Sequence, residues 1–265
     1  MNKKNYALGV FDSGLGGLTV VRELKRQLPK EDIVYFGDTA RVPYGTKSAQ
    51  SIVQFSEENV QFLLKHKVKI IVVACNSSSS FAISVLRKKF SLPVVGVIEP
   101  GAKKAIEVSK NKKVGVIATS ATIQSGKYSK TIKRLSKKMK VVSQACPLLV
   151  PLVEEGWFEK KATFDIAKEY LLTIKKSGAD VVILGCTHYP ILKPVISRVL
   201  GRRVNLIDSA KEVACEVKAI LKKHNLSQDK KRKGSCKVFV SDKPQHFKKL
   251  AKRFLGYNIG HIKKV

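Results

Sequence analysis

Short apolar runs alternate along the chain with segments whose apolar residues recur every three or four positions. Tyr6–Phe11 is the first run and predicts a buried strand. It passes into Asp12-Ser13-Gly14-Leu15-Gly16-Gly17, after which Leu18, Val21, Leu24 and Leu28 share one face of a predicted helix. Ile33–Phe36 reads as the next strand. A loop with Asp38 and Pro43-Tyr44-Gly45 follows, then a helix carrying Ile52, Phe55 and Phe62. Ile70–Ala74 is a β-branched strand ending at Cys75, the following helix groups Ala82, Val85, Leu86 and Phe90, and Pro93–Ile98 is another strand. These runs are apolar throughout rather than alternating. That is the pattern of parallel strands covered on both faces.

The pattern then restarts. Lys113–Ala118 predicts a strand leading into Thr119-Ser120-Ala121-Thr122. Val141–Ala145 predicts another, followed by Cys146-Pro147 and by Pro151-Leu152-Val153-Glu154-Glu155-Gly156. A helix is expected over about Ala162–Lys176, and a strand over Asp180–Leu184 that ends at Gly185-Cys186-Thr187-His188. Val204–Ile207 reads as a short strand before Asp208-Ser209 and a helix to Lys223. Leu226–Ser235 reads as an exposed polar loop. Cys236–Val240 and a helix with Phe247, Leu250 and Phe254 close the chain.

Two segments recur. Gly9-Val10-Phe11-Asp12-Ser13 resembles Gly115-Val116-Ile117-Ala118-Thr119, 106 residues on, and the run ending at Cys75 resembles the run ending at Cys186, 111 residues on. Similar offsets in the same order predict two related α/β domains with mainly parallel sheets and pseudo-twofold symmetry. Residues 1–98 plus 209–265 would form the first domain and 99–208 the second. Ligands of open parallel sheets sit at the carboxyl ends of the strands, so the active site is expected in the cleft between the halves.

Composition narrows the class. A chain of 265 residues, 44% hydrophobic, can bury a sizeable core. No apolar run approaches the roughly 18 residues of a membrane span, and the start lacks the features of a signal peptide. A cytoplasmic protein with no membrane association is expected. The cysteines number five, widely spaced and without a CxxC, so they are expected to act as thiols rather than as disulfides or zinc ligands. Lys plus Arg is 51 against 20 for Asp plus Glu, a net charge of +31. Such a charge would attract nucleic acid or another polyanion. The basic residues are nevertheless spread along apparent helix faces without a recognition motif, and the expectation is a basic solvated surface.

Cys75 and Cys186 each end a strand and begin a polar turn. At repeat-equivalent positions they can reach one cleft from opposite halves. That suits a reaction needing a base on one face of a carbon and an acid on the other. A free thiol has a pKa near about 8.5, so the thiolate needs help. His188 follows Cys186 by two residues, and Asp12 ends a strand expected beside Cys75. The turn at Gly14–Thr19 lacks the third glycine of GxGxxG, and Asp12 would repel a pyrophosphate. It is read as a tight turn whose amides could hold a carboxylate. Ser77–Ser80 has no GxSxG frame and is expected to cap a helix and offer hydroxyls to a polar ligand.

These motifs resemble those of the glutamate racemases within the aspartate/glutamate racemase family, in the same order and over nearly the whole chain. Gly9–Gly17, Asp38 with Pro43-Tyr44-Gly45, Val73-Ala74-Cys75-Asn76, Pro151–Glu154 and Leu184–Pro190 carry the resemblance. It implies racemisation of L-glutamate to D-glutamate for peptidoglycan, without cofactor or metal, by a homodimer. It implies that Cys75 takes the proton from D-glutamate and Cys186 from L-glutamate. Asp12, Glu154 and His188 match catalytic auxiliaries, and Glu155 reads as solvated. Asp12, Ser13, Tyr44, Gly45, Asn76, Ser77, Thr187 and His188 match substrate-binding positions. Ser77 stands where the family usually has threonine, which keeps the hydroxyl. A closed cleft is expected, with Ile98–Pro100 and Ile207–Ser209 as candidate hinges. An aspartate racemase of the same group, or a polyanion-binding protein on the same fold, are the alternatives.

Overall fold

The computed structural model describes residues 3–265. The first sheet takes β1 (Ala7–Asp12), β2 (Ile33–Gly37), β3 (Val68–Val73) and β4 (Val94–Gly96) from the beginning of the chain. The second takes β5 (Lys113–Ala118), β6 (Lys140–Ala145), β7 (Val181–Gly185) and β8 (Asn205–Asp208). The chain then returns to the first sheet with β9 (Cys236–Val240) and β10 (Ile262–Lys264). Strand order is β10-β9-β2-β1-β3-β4 in one sheet and β6-β5-β7-β8 in the other. Each pairing of neighbouring strands is parallel. The α/β class with parallel sheets is therefore as the apolar runs predict.

Crossover helices cover the faces. In the first half these are α1 (Leu18–Gln27), α2 (Ala49–Leu64), α3 (Asn76–Phe81) and α4 (Ile83–Lys89). Next come α5 (Ile98–Val108), α6 (Ser120–Gln124), α7 (Lys127–Leu135), α8 (Leu149–Glu154), α9 (Lys161–Lys176) and α10 (Lys193–Leu200). The last two are α11 (Ser209–Lys223) and α12 (Pro244–Leu255). In α1 the predicted face of Leu18, Val21 and Leu24 is fully buried, each side chain worth about 1.5–3 kcal/mol of burial. Lys25 and Arg26 occupy its last turn, where the helix dipole favours cations. One continuous core joins Leu8 and Val10 of β1 to Val213 and Val217 of α11 and to Ile117 and Val182 of the second sheet. Among the described residues no helix is long and apolar enough to cross a membrane.

Several expectations change. The strand expected at Pro93–Ile98 is only Val94–Gly96, and Ile98–Pro100 already forms the first turn of α5. Ile207–Ser209 likewise passes directly from β8 into α11. The segment 226–235 is coil, but it is not free in solvent. Gln228 is buried, its N–H donates to Glu31, and Leu226 O accepts from Lys69 Nζ at 2.8 Å. Lys69 itself departs from the basic solvated surface: it is buried and paired with Glu31 at 2.6 Å. Finally, α12 does not close the chain, because β10 adds an edge strand beside β9.

Candidate active site

Strands β1, β3, β5 and β7 all end at one small cavity of about 20 Å3. Ser13 follows β1, Cys75 to Ser77 follow β3, Thr119 follows β5, and Cys186 to His188 follow β7. The two sheets thus meet at their carboxyl ends, where parallel strands leave room for a ligand. Cys75 and Cys186 are both buried, at 5% and 7% exposure, and both line the cavity. Tyr44 and Gly45 form another wall, with Val42, Pro43 and Val150 supplying apolar surface.

The surroundings of the two thiols differ. Cys75 caps α3: its Sγ accepts the Ser78 N–H at 3.5 Å. This corrects the reading of the serine run, which lies inside α3 rather than before it. Burial raises the Cys75 thiol, and the nearby Asp12 charge raises it further, to about 11. Donors from Ser78 and Ser13 pull in the opposite direction. Cys186 Sγ instead lies 3.8 Å from His188 Nδ1, and His188 Nε2 lies 3.1 Å from Glu154 Oε1. Burial opposes a charge on His188. Hydrogen bonds to Cys186 and Glu154, with their negative charge, win and push it up to about 10. Burial likewise works against the charge of Glu154, but His188 holds its carboxyl below the usual range. The imidazolium can therefore donate to the sulfur on one side and the carboxylate on the other. Glu154 stands behind His188 rather than in the cavity, and Glu155 is exposed.

Asp12 is wholly buried behind the cavity. Gly14 N–H donates to its Oδ2 at 3.1 Å, Gly17 N–H also bonds it, and Thr187 Oγ1 donates to Oδ1 at 3.4 Å. The glycine turn does hold a carboxylate, but it is the chain's own. Burial still raises the Asp12 carboxyl against the pull of His188 and these bonds. The glycines have a second use. A Cβ on Gly16 would stand 2.2 Å from Thr187 Oγ1 and 2.8 Å from His188 Nδ1, so this turn packs directly on the Cys186 motif.

Asn76 lines the cavity and accepts from the Tyr128 hydroxyl at 2.7 Å. Ser77, Thr119 and Thr122 form a ring of hydroxyls at 3.1–3.3 Å that joins the two halves. Gly45 packs against Thr119, where a Cβ would approach to 2.6 Å. The Tyr44 hydroxyl is not free for a ligand. It donates to Asp38 and accepts from Asn59 at 3.1 Å. Thr119 was not among the expected site residues, although the internal repeat pairs it with Ser13. Tyr128 carried no sequence signal. Among the described residues no group of three or more His, Cys, Asp or Glu is arranged to hold a metal ion.

The family model described as Asp/Glu/Hydantoin racemase matches residues 8–217. A glutamate racemase of Geobacter metallireducens is 48% identical, over 98% of this chain and 96% of its own length. A glutamate racemase isoform of Bacillus anthracis superposes with a TM-score of 0.95 at 42% identity, covering 99% of this chain and 98% of that one. The Francisella tularensis glutamate racemase, solved in complex with D-glutamate, gives 0.93 at 38% identity, with coverage of 99% and 98%.

Proposed function

The chain belongs to the Asp/Glu/Hydantoin racemase family, and from that premise we propose that it interconverts L- and D-glutamate by passing the α-proton between Cys75 and Cys186. One observation carries the mechanism: the two thiols come from the ends of β3 and β7, one from each sheet, and line the same cavity. One thiolate takes the α-proton, so the C–H bond breaks and an S–H bond forms. The second thiol gives its proton to the opposite face of the carbanion. The α-carbon is inverted, and the two sulfurs have exchanged protonation states.

The α-proton is weakly acidic, and this reading uses no cofactor as electron sink. The carbanion must then be stabilised by hydrogen bonds to the substrate carboxylate and by exclusion of water. Asn76, Ser77, Thr119 and Thr187 supply polar groups from buried positions at the cavity wall. His188 gives a thiolate at Cys186 an adjacent cation. Asp12 would attract the substrate ammonium, which offsets the repulsion that Asp12 otherwise exerts on a Cys75 thiolate. In this assignment Cys186 serves L-glutamate and Cys75 serves D-glutamate. The D-glutamate would go to peptidoglycan, made by a cytoplasmic homodimer.

Racemisation in deuterated water tests the scheme. Each enantiomer should give a product deuterated at the α-carbon, and Cys75→Ala and Cys186→Ala should each abolish turnover. A normal rate in either variant rules out the two-thiol mechanism. Turnover of L-aspartate but not L-glutamate would move the substrate to the shorter acid.

A further inference from the structure

Ser78 Oγ is fully buried and, among the described residues, makes no hydrogen bond of good geometry, although its side chain lies close enough to Cys75 to lower that thiol. Buried hydroxyls are nearly always paired, because an unmade hydrogen bond leaves the desolvation of the group uncompensated. A hydroxyl beside the Cys75 sulfur without a well-formed bond calls for an acceptor that becomes strong only part of the time. Ser78 is the third residue of α3, and Cys75 is its cap. The side chain at that position points back toward the cap residue, as in a capping box. The backbone N–H of Ser78 already points at the Cys75 sulfur, at 3.5 Å. A neutral thiol is a poor acceptor; a thiolate is a strong one.

We propose that Ser78 is a further catalytic residue, whose hydroxyl turns onto the Cys75 sulfur and donates to it when that sulfur becomes a thiolate. The serine then supplies a second donor, alongside its own N–H, to the buried charge. The need is local. Asp12 at the end of β1 repels that charge, and the Tyr35 hydroxyl on β2 also feels it. The cation of His188 belongs to the other side of the cavity, held between Cys186 and Glu154. Ser13 is the other side-chain hydroxyl directed at Cys75. Ser78 would therefore give Cys75 some of what His188 gives Cys186. Its consequence for turnover rests on the two-thiol reading above; its effect on the thiol does not.

The test is the pH dependence of alkylation at Cys75 by iodoacetamide, read by peptide mass mapping of the full chain without substrate. In Ser78→Ala the titration of Cys75 should move upward by about half a pH unit or more, equivalent to at least a threefold loss of thiolate below its pKa. Ser78→Thr, which keeps the hydroxyl, should titrate like the wild type. Because racemisation has an equilibrium constant of one, kcat/KM must change equally in both directions. The directional effect is therefore read in kcat, which should fall more from D-glutamate than from L-glutamate in Ser78→Ala. An unshifted titration in Ser78→Ala, with a raised melting temperature, would show only a packing defect and overturn the proposal. So would an equal shift in Ser78→Thr. If Cys75→Ala racemised glutamate normally, the two-thiol reading would fall while the titration result stood.

Discussion

The Tyr128 hydroxyl on α7 donates to Oδ1 of Asn76 at the start of α3, at 2.7 Å, so a residue packed on the second sheet fixes a cavity-lining amide of the first. With its carbonyl engaged, Asn76 would have its NH2 group left as a donor for the glutamate of the proposed reaction. Tyr128→Phe should release the amide and raise KM for glutamate about five- to tenfold, the equivalent of about 1–1.5 kcal/mol. The maximal rate should change less. Steady-state kinetics decide it: a lower kcat at unchanged KM would show that the tyrosine does not act through ligand binding.

Gly16 has space for a hydrogen only. A methyl there would collide with Thr187 Oγ1 at 2.2 Å and His188 Nδ1 at 2.8 Å. Gly16→Ala should push the Cys186 motif out of place and lower kcat by about 100-fold, the scale expected for a displacement of about 1 Å at reacting groups. The melting curve should show a folded protein. Activity within twofold of wild type would mean the two loops separate at no cost.

Lys69 and Glu31 are a buried ion pair remote from the cavity, and Lys69 Nζ also donates to Lys4 O and Leu226 O at 2.8 Å. Lys69→Met leaves Glu31 uncompensated and should cost about 3–5 kcal/mol of stability, measured by urea unfolding. Replacing both partners with apolar residues should restore much of it. At temperatures where the variant is folded, kcat/KM should stay near wild type.

Stability should fall on the alkaline side. His188 ordinarily titrates at 6.5 and is pushed up to about 10 in the folded chain, mainly by Cys186 and Glu154 against the effect of burial. A raised value means the folded state holds the proton more tightly than the unfolded one. The stabilisation is complete below pH 6.5 and is lost as pH rises toward about 10. Cys75 titrates higher, its thiol raised from 9.0 to about 11 by burial and Asp12, and adds to the loss above pH 9. Urea unfolding from about pH 6 to pH 10 should show the decline. In Glu154→Gln it should still begin near pH 6.5 but level off at a lower pH, so that less stability is lost in total. A flat profile in the wild type would contradict the charged pair.

Much of the fold is legible along the chain because a parallel strand covered on both faces must be apolar at successive positions. β1, β3, β5 and β7 announce themselves this way, and their ends place Asp12, Cys75, Thr119 and Cys186 at polar turns. The edge strand β10, at Ile262–Lys264, is mostly exposed and carries two lysines, so no apolar run marks it. The serine run misleads for a related reason. Serine favours caps, but here Cys75 takes the cap and burial holds the serines within the helix.

The chain by itself determined the alternation of strands and helices, the repeat, and the two thiols at equivalent strand ends, since each is written in local pattern. Tertiary structure decided what surrounds those thiols. Glu154 meets His188 across 34 residues, Tyr128 meets Asn76 across 52, and Thr187 meets Asp12 across 175. Asp12 faces amides of its own glycine turn, and that turn packs on the partner thiol's loop. Such contacts depend on how two sheets are brought end to end, and the energy of a buried charge depends on all the dipoles around it. Local sequence pattern could place both sulfurs at a cleft. Only the packed structure brings Glu154 to hold the charge of His188 beside Cys186, and sets the Ser78 hydroxyl and a buried Asp12 beside Cys75.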